Sequence, residues 1–148
     1  MVSFDGFRHD FTTMTDTPNF DKLEEEGVKA EALIPVFPSL TFPNHYSIAT
    51  GAYSGTHNIT GNSFYDKEFR EKYSLYDREK VRDPKFYKSE PVWVTAERQG
   101  VKTASYYWVG TEAPVKGWSP SIFKYYDGEI PFEARVDSVV SWFELPET

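Results

Sequence analysis

The sequence predicts an α/β fold in which helices flank a parallel sheet. Three observations carry that expectation. Between Val2 and Ile34 a short apolar run, a punctuated helix and a second apolar run follow one another. Between Ser89 and Trp108 a helical stretch leads into a partly alternating run. The unusual residues gather where these runs end, the edge at which open α/β sheets bind ligands.

Taken in order, Val2-Ser3-Phe4 reads as the last part of a buried strand, shorter than the roughly five or six residues usual for strands. Thr17 suits an N-cap, Pro18 the first helical position and Gly27 the terminating one. That helix should bury Phe20 and Leu23 and leave Glu24-Glu25-Glu26 in solvent. Val28 to Ile34 then reads as a strand, completing a parallel βαβ unit. Pro43 to Thr50 is the next helix, closed by Gly51, with Thr41 at or just before its amino end. Ala52 to about Lys88 is polar, aromatic and rich in turn residues, and reads as an excursion from the core.

Order is expected again from Ser89, as the cap of a helix reaching Gln99-Gly100, with Val92, Trp93 and Ala96 inward. Val101 to Trp108 reads as a third strand. Phe132, Val136, Val139, Val140 and Phe143 recur on one helical face within Pro131 to Leu145. Both ends read as cuts through a larger domain.

The 148 residues suffice for one domain with a core. Lys and Arg number 16 against 23 Asp and Glu, for a net charge of −7, which argues against binding a nucleic-acid duplex and permits a small anion held by a cation. No stretch approaches the ~18 apolar residues of a membrane span, and the mean hydropathy is −0.57. The chain has no cysteine, hence no disulfide and no thiolate ligand or nucleophile. A metal would need oxygen donors or one of three histidines, His9, His45 and His57. Met1 to Asp5 lacks the charged and apolar regions of a secretory leader.

Three residues are candidates for chemistry. Asp5, before Gly6, follows the first strand and can ligate a cation; an Asp-Gly turn would look the same. Thr41 lies where a helix end favours anions, and its hydroxyl becomes a nucleophile once a base or metal draws off the proton. The same threonine could be a cap worth about 1 kcal/mol. Asn62, in Gly61-Asn62-Ser63, can donate to a phosphoryl oxygen or simply serve a turn. His45 reads as a core or supporting hydrogen-bonder, His9 and His57 as loop residues.

In order and wording, SFDGFR (Ser3–Arg8), TPNFDKLEEEGVKA (Thr17–Ala30), PVFPSLTFPNHYSIATG (Pro35–Gly51), GNSFYD (Gly61–Asp66), EPVWVTAERQG (Glu90–Gly100) and YYDGEIPFEARVDSVVSWFELP (Tyr125–Pro146) resemble the nucleotide pyrophosphatase/phosphodiesterase family of the alkaline phosphatase superfamily. The resemblance spans nearly the whole chain. It implies that residues 1–148 are the amino-terminal part of a phosphodiesterase catalytic domain of alkaline-phosphatase-like fold, truncated at both ends. Asp5 matches a metal-ligating aspartate, and Thr41 the threonine that attacks phosphorus, contacts the metals and forms a covalent nucleotidyl intermediate. Asn62 matches the asparagine that bonds the phosphoryl oxygen. Phe42 and Tyr126 match the aromatics that sandwich a base, and Trp108 lies where another pocket aromatic stands.

The implied cofactor is a pair of zinc ions, about 4 Å apart in such sites. The family's remaining ligands, an Asp and a His near a glycine, an Asp-His pair and a last His, are not in this chain, so the 148 residues alone are expected to be inactive. Leu40 and Glu112 occupy positions where relatives vary in polarity. The lack of cysteine is more like bacterial members and implies a periplasmic or extracellular parent protein. Two alternatives stand beside nucleotide hydrolysis. One is a phospholipid or choline-phosphate diesterase of the same superfamily, and the other is a non-catalytic module binding phosphate or nucleotide at the helix end.

Overall fold

The computed structural model describes residues 1–146, in two compact units, 1–35 and 36 onward. The first unit holds a 3-10 turn at Phe11–Thr13 and helix α1, Pro18–Glu26. Pro18 starts α1 as expected, but the Thr17 hydroxyl bonds the Asp21 carboxylate at 3.2 Å and caps no backbone N–H. Gly27 has φ −128°, so it ends the helix without a left-handed turn.

Both strands expected in this unit are absent. Val2–Phe4 is irregular, and Phe4 instead joins a small cluster of rings, 5.7 Å from Phe7 and 5.5 Å from Phe20. Residues 28–34 are irregular and exposed, Val28 and Ile34 almost completely. An apolar run becomes a strand only when a neighbour takes up its backbone groups, and no described strand pairs with either run. The βαβ unit is therefore not formed. Leu23 is exposed rather than buried, and Phe20 is half-buried.

The second unit contains every buried apolar side chain among the described residues. Helix α2, Thr41–Thr50, begins two residues before the expected Pro43 and ends at Gly51, whose φ of 65° lets its N–H reach the Ser47 carbonyl at 2.8 Å. A short α3, Ser54–His57, follows. Strands β1, Ser63–Asp66, and β2, Glu71–Ser74, pair antiparallel, with Ser63 opposite Ser74 and Asp66 opposite Glu71. Helix α4, Arg78–Arg82, starts under Asp77, whose carboxylate accepts from the N–H groups of Glu79 and Lys80. A 3-10 turn at Pro84–Phe86 comes next.

The stretch from Ala52 to Lys88 is thus not an excursion. It supplies Ile59, Tyr73, Val81, Phe86 and Tyr87 to the centre of the core, which Tyr46 of α2 joins from the other side. Buried hydroxyls make this aromatic core feasible because each finds a partner. Tyr87 donates to the Val81 carbonyl at 2.9 Å, so Tyr73 donates to the Tyr87 oxygen at 2.8 Å. Tyr46 donates to the Ser89 carbonyl at 2.7 Å.

Helix α5, Val92–Arg98, has Pro91 rather than Ser89 at its N-cap, since Ser89 offers its carbonyl to Tyr46. Trp93 and Val94 face the core, while Val92 is exposed and Ala96 half-buried. The third expected strand contracts to β3, Ala104–Tyr106. It pairs in parallel with β4, Ile122–Lys124, so the parallel element sits later in the chain than expected. A 3-10 turn at Val115–Gly117 lies between them. Helix α6, Phe132–Trp142, is present, and Trp142 meets Tyr106 at 5.6 Å. Its stripe of Phe132, Val136, Val140 and Phe143 is exposed, with Val139 half-buried.

Candidate active site at the start of the Thr41 helix

Thr41 is the first helical residue of α2, with Leu40 at the N-cap in extended conformation, φ −103° and ψ 157°. Thr41 is thus one position inside the helix from the N-cap residue. The backbone fixes this entry: Asn44 N–H donates to the Leu40 carbonyl at 3.0 Å, and the Asn44 side chain accepts from Val36 N–H at 3.1 Å. No acidic residue lies in the first turn, so the positive end of the helix dipole keeps its attraction for an anion.

Asn62 is brought to this helix end. Its Oδ1 accepts the N–H of Phe42 at 2.9 Å, closing one of the donors that a helix start leaves unpaired. That bond also orients the amide, because the oxygen is the atom facing Phe42 and what remains for a ligand beside Thr41 is Nδ2, a donor. The loop is held from behind by Leu75 N–H, which donates to the Asn62 carbonyl at 2.9 Å.

Two aromatics brace the other flank of α2. His45 Nδ1 donates to the Thr41 carbonyl at 2.8 Å, and Trp108 Nε1 donates to the His45 carbonyl at 3.1 Å. Their rings meet edge-on with centroids 5.5 Å apart. His45 is thus the supporting hydrogen-bonder expected, and Trp108 is docked on the Thr41 helix. Phe42 packs on Tyr73 at 6.3 Å. Tyr126 belongs to a different cluster, 5.1 Å from Tyr107 and beneath the Arg78 guanidinium at 5.4 Å. The structure thus places Phe42 and Tyr126 in separate ring clusters, Phe42 half-buried and Tyr126 exposed, and does not pair them face to face.

Asp5 lies in the first unit, in the turn that Gly6 closes at φ 67°. Among the described residues, no group of three or more His, Cys, Asp or Glu side chains could hold a metal ion. Asp5 in the first unit and the Thr41 hydroxyl in the second each offer a hard oxygen donor of the right chemistry for a divalent cation, and neither alone supplies a four-coordinate zinc site.

Two buried groups escaped sequence reasoning. Glu112 is nearly buried between Arg78 and Arg82, the latter at 2.9 Å, and its Oε1 accepts from Tyr126 N–H at 3.1 Å. It thereby fastens the backbone that carries Tyr126. A lone Glu in Gly110-Thr111-Glu112-Ala113 carries no periodic signal that could have shown this. His57 is not a loop residue: it ends α3, fully buried, and bonds Ser47 of α2 at 2.8 Å. Burial holds its pKa down to about 4, against an ordinary value of 6.5.

A helix start carrying a threonine, with an asparagine amide bonded to its first turn, has the donors that a phosphate or phosphodiester group would call for, on an α/β scaffold. Known structures give the fold. Murine ectonucleotide pyrophosphatase/phosphodiesterase 5 matches 97% of this chain with a TM-score of 0.91 and 31% identity, over 38% of its own length. The human protein of the same name matches 98% of it at 33% identity and TM-score 0.91. The fold is therefore that of the alkaline-phosphatase-like phosphodiesterases. Residues 1–148 match the family described as Type I phosphodiesterase / nucleotide pyrophosphatase, and the chain belongs to that family. It is 41% identical to human ectonucleotide pyrophosphatase/phosphodiesterase family member 1 and 42% identical to the venom phosphodiesterase CdcPDE of Crotalus durissus collilineatus, over 99% of this chain in each case. It spans 16% and 18% of the lengths of those relatives.

Proposed function

We propose that the protein hydrolyses phosphodiester or pyrophosphate bonds of nucleotides, with Thr41 as the attacking hydroxyl and Asn62 as a donor to the phosphoryl oxygen. The observation that carries this is the bond from Phe42 N–H to Asn62 Oδ1, which brings the Asn62 amide to the start of α2, at the residue after Thr41, and leaves Nδ2 as its unused donor. The Thr41 Oγ–P bond forms as the P–O bond to the leaving group breaks. Water then cleaves the nucleotidyl-threonine, releasing the mononucleotide and restoring the hydroxyl. Phe42, Tyr126 and Trp108 would bind the base, a stacking contact worth about 1–3 kcal/mol and tolerant of base identity.

Zinc, as a bound pair, would supply Lewis acidity that lowers the pKa of the hydroxyl and offsets phosphoryl charge. Asp5 and Thr41 are each a candidate ligand for such an ion, and the described residues contain no group of three or more His, Cys, Asp or Glu that would complete a centre. Support for nucleotide as substrate comes from the relatives' names and from a murine ectonucleotide pyrophosphatase/phosphodiesterase 5 structure, 30% identical, of an inactive threonine-to-alanine variant in complex with AMP. We further assign residues 1–148 to the amino-terminal part of the catalytic domain, and the whole protein to an extracytoplasmic location in keeping with relatives named as ectoenzymes and venom enzymes.

The test is turnover of a nucleotide diester by the full-length gene product, with glycerophosphodiester and choline-phosphate diester as competing substrates. The expected outcome is preference for the nucleotide, loss on chelation with recovery on adding zinc, and a fall of at least about 10³-fold for Thr41→Ala. Preference for the choline ester would move the substrate class. Full activity of Thr41→Ala would remove the nucleophile.

A further inference from the structure

Two polar side chains, Ser47 of the Thr41 helix and His57 bonded to it, have no part in the chemistry above, yet both are buried: His57 is 0% exposed and Ser47 6%. The N–H of Ile59 donates to His57 Nδ1 at 3.1 Å. A nitrogen that accepts is unprotonated, so the ring proton of this neutral imidazole resides on Nε2, which donates to Ser47 Oγ at 2.8 Å. The ring therefore bonds two elements at once. Ser47 lies on α2, in the turn after Thr41. Ile59 lies three residues before Asn62 on the segment that returns to the start of α2.

The placement of the imidazole is over-determined. Asn58, with φ 74°, turns the chain so that Ile59 N–H points back at the ring. The Asn58 amide is held in turn by Asp66 Oδ2 at 2.8 Å and the Phe86 carbonyl at 3.2 Å. The His57 carbonyl accepts Lys88 N–H at 3.1 Å, and the Tyr46 ring meets the imidazole edge-on at 5.1 Å. A residue that only filled volume would need none of these polar links, and a phenylalanine would leave Ser47 Oγ and Ile59 N–H buried without partners.

We infer that His57 is a positioning residue: one imidazole ties the helix carrying Thr41 to the segment carrying Asn62, and so holds the attacking hydroxyl and the amide donor in register. This rests on the roles given to Thr41 and Asn62 above.

His57→Gln separates a positioning role from a packing one, because its amide can still donate toward Ser47 while the acceptor for Ile59 N–H is lost. The measurement is kcat and KM for a nucleotide diester in the full-length gene product, for wild type, His57→Gln, Asn62→Ala and the double variant. His57→Gln is expected to lower kcat by about 10- to 100-fold, the scale of a small misplacement, with KM changed less than about 2-fold. In the Asn62→Ala background the same change should cost less than about 2-fold, because the group it positions is gone. An equal factor in both backgrounds, or no loss of kcat, overturns the inference while leaving the nucleophile assignment intact. A flat response to Asn62→Ala alone refutes the role of Asn62 instead. Should His57→Gln fail to fold, the imidazole 15N spectrum of the wild-type protein between about pH 6 and 8 decides: the Nε2–H tautomer is required, and the Nδ1–H tautomer contradicts it.

Discussion

At Thr41, one position along the chain separates a capping hydroxyl from the first residue of a helix, and that position decides what the oxygen can do. With Leu40 as N-cap, it is Asn62 rather than a threonine hydroxyl that closes the Phe42 N–H. Asn62→Ala should therefore act twice. It should cost about 1 kcal/mol in denaturant unfolding, as a lost cap does, and lower kcat by about 10²-fold through the missing donor. An unchanged kcat with reduced stability would leave Asn62 a capping residue only. His57 sets a pH dependence of stability. Its folded pKa of about 4 lies below the ordinary 6.5, so below pH 6.5 the unfolded chain binds more protons and stability falls with pH. The contribution is complete above pH 6.5 and is lost progressively to about pH 4, by roughly 3 kcal/mol. His57→Gln should flatten that segment of the stability–pH curve, and an unchanged slope would show that other groups set it.

At the scale of elements, α2 was legible because Pro43, the apolar positions and Gly51 punctuate it, and β3 was legible in part from its alternation. The run at 28–34 misled because an apolar stretch is only half of a strand; the other half is a pairing partner that no local pattern records. The segment from Ala52 to Lys88 misled in the opposite direction. Its core residues, Ile59, Tyr73, Val81 and the Phe86-Tyr87 pair, are separated by polar turn residues, and the hydroxyl chain from Tyr73 through Tyr87 to the Val81 carbonyl hides in composition that looks solvent-facing. Of the candidate residues that the sequence offers, Thr41 lies on α2 and Asn62 and Trp108 bond to it, whereas His57 and Glu112 act through tertiary bonds with no sequence period. Packing between elements is tight at Gly110, where φ is 88° and a Cβ would lie 2.6 Å from the Tyr46 ring. Gly110→Ala should cost more than about 2 kcal/mol in chemical denaturation, by displacing Tyr46 and straining the turn. A loss below about 0.5 kcal/mol would mean that the two approach less closely than described.

Across the whole molecule, the distribution of burial separates residues 1–35 from the rest: the first unit contributes no buried side chain, and the core from Tyr46 to Val115 lies entirely in the second. Residues 36–148 expressed alone should keep the thermal transition of the 148-residue chain within about 3 °C, and the absence of a cooperative transition would contradict that separation. In the full-length gene product, the proposed direct attack of Thr41 on phosphorus would make cleavage proceed through two successive displacements. Each in-line displacement inverts phosphorus. The most direct measurement is therefore the stereochemical course with a nucleotide diester made chiral by a phosphorothioate and isotopic oxygen. Two displacements predict net retention, and net inversion, the mark of direct attack by water, would contradict the account.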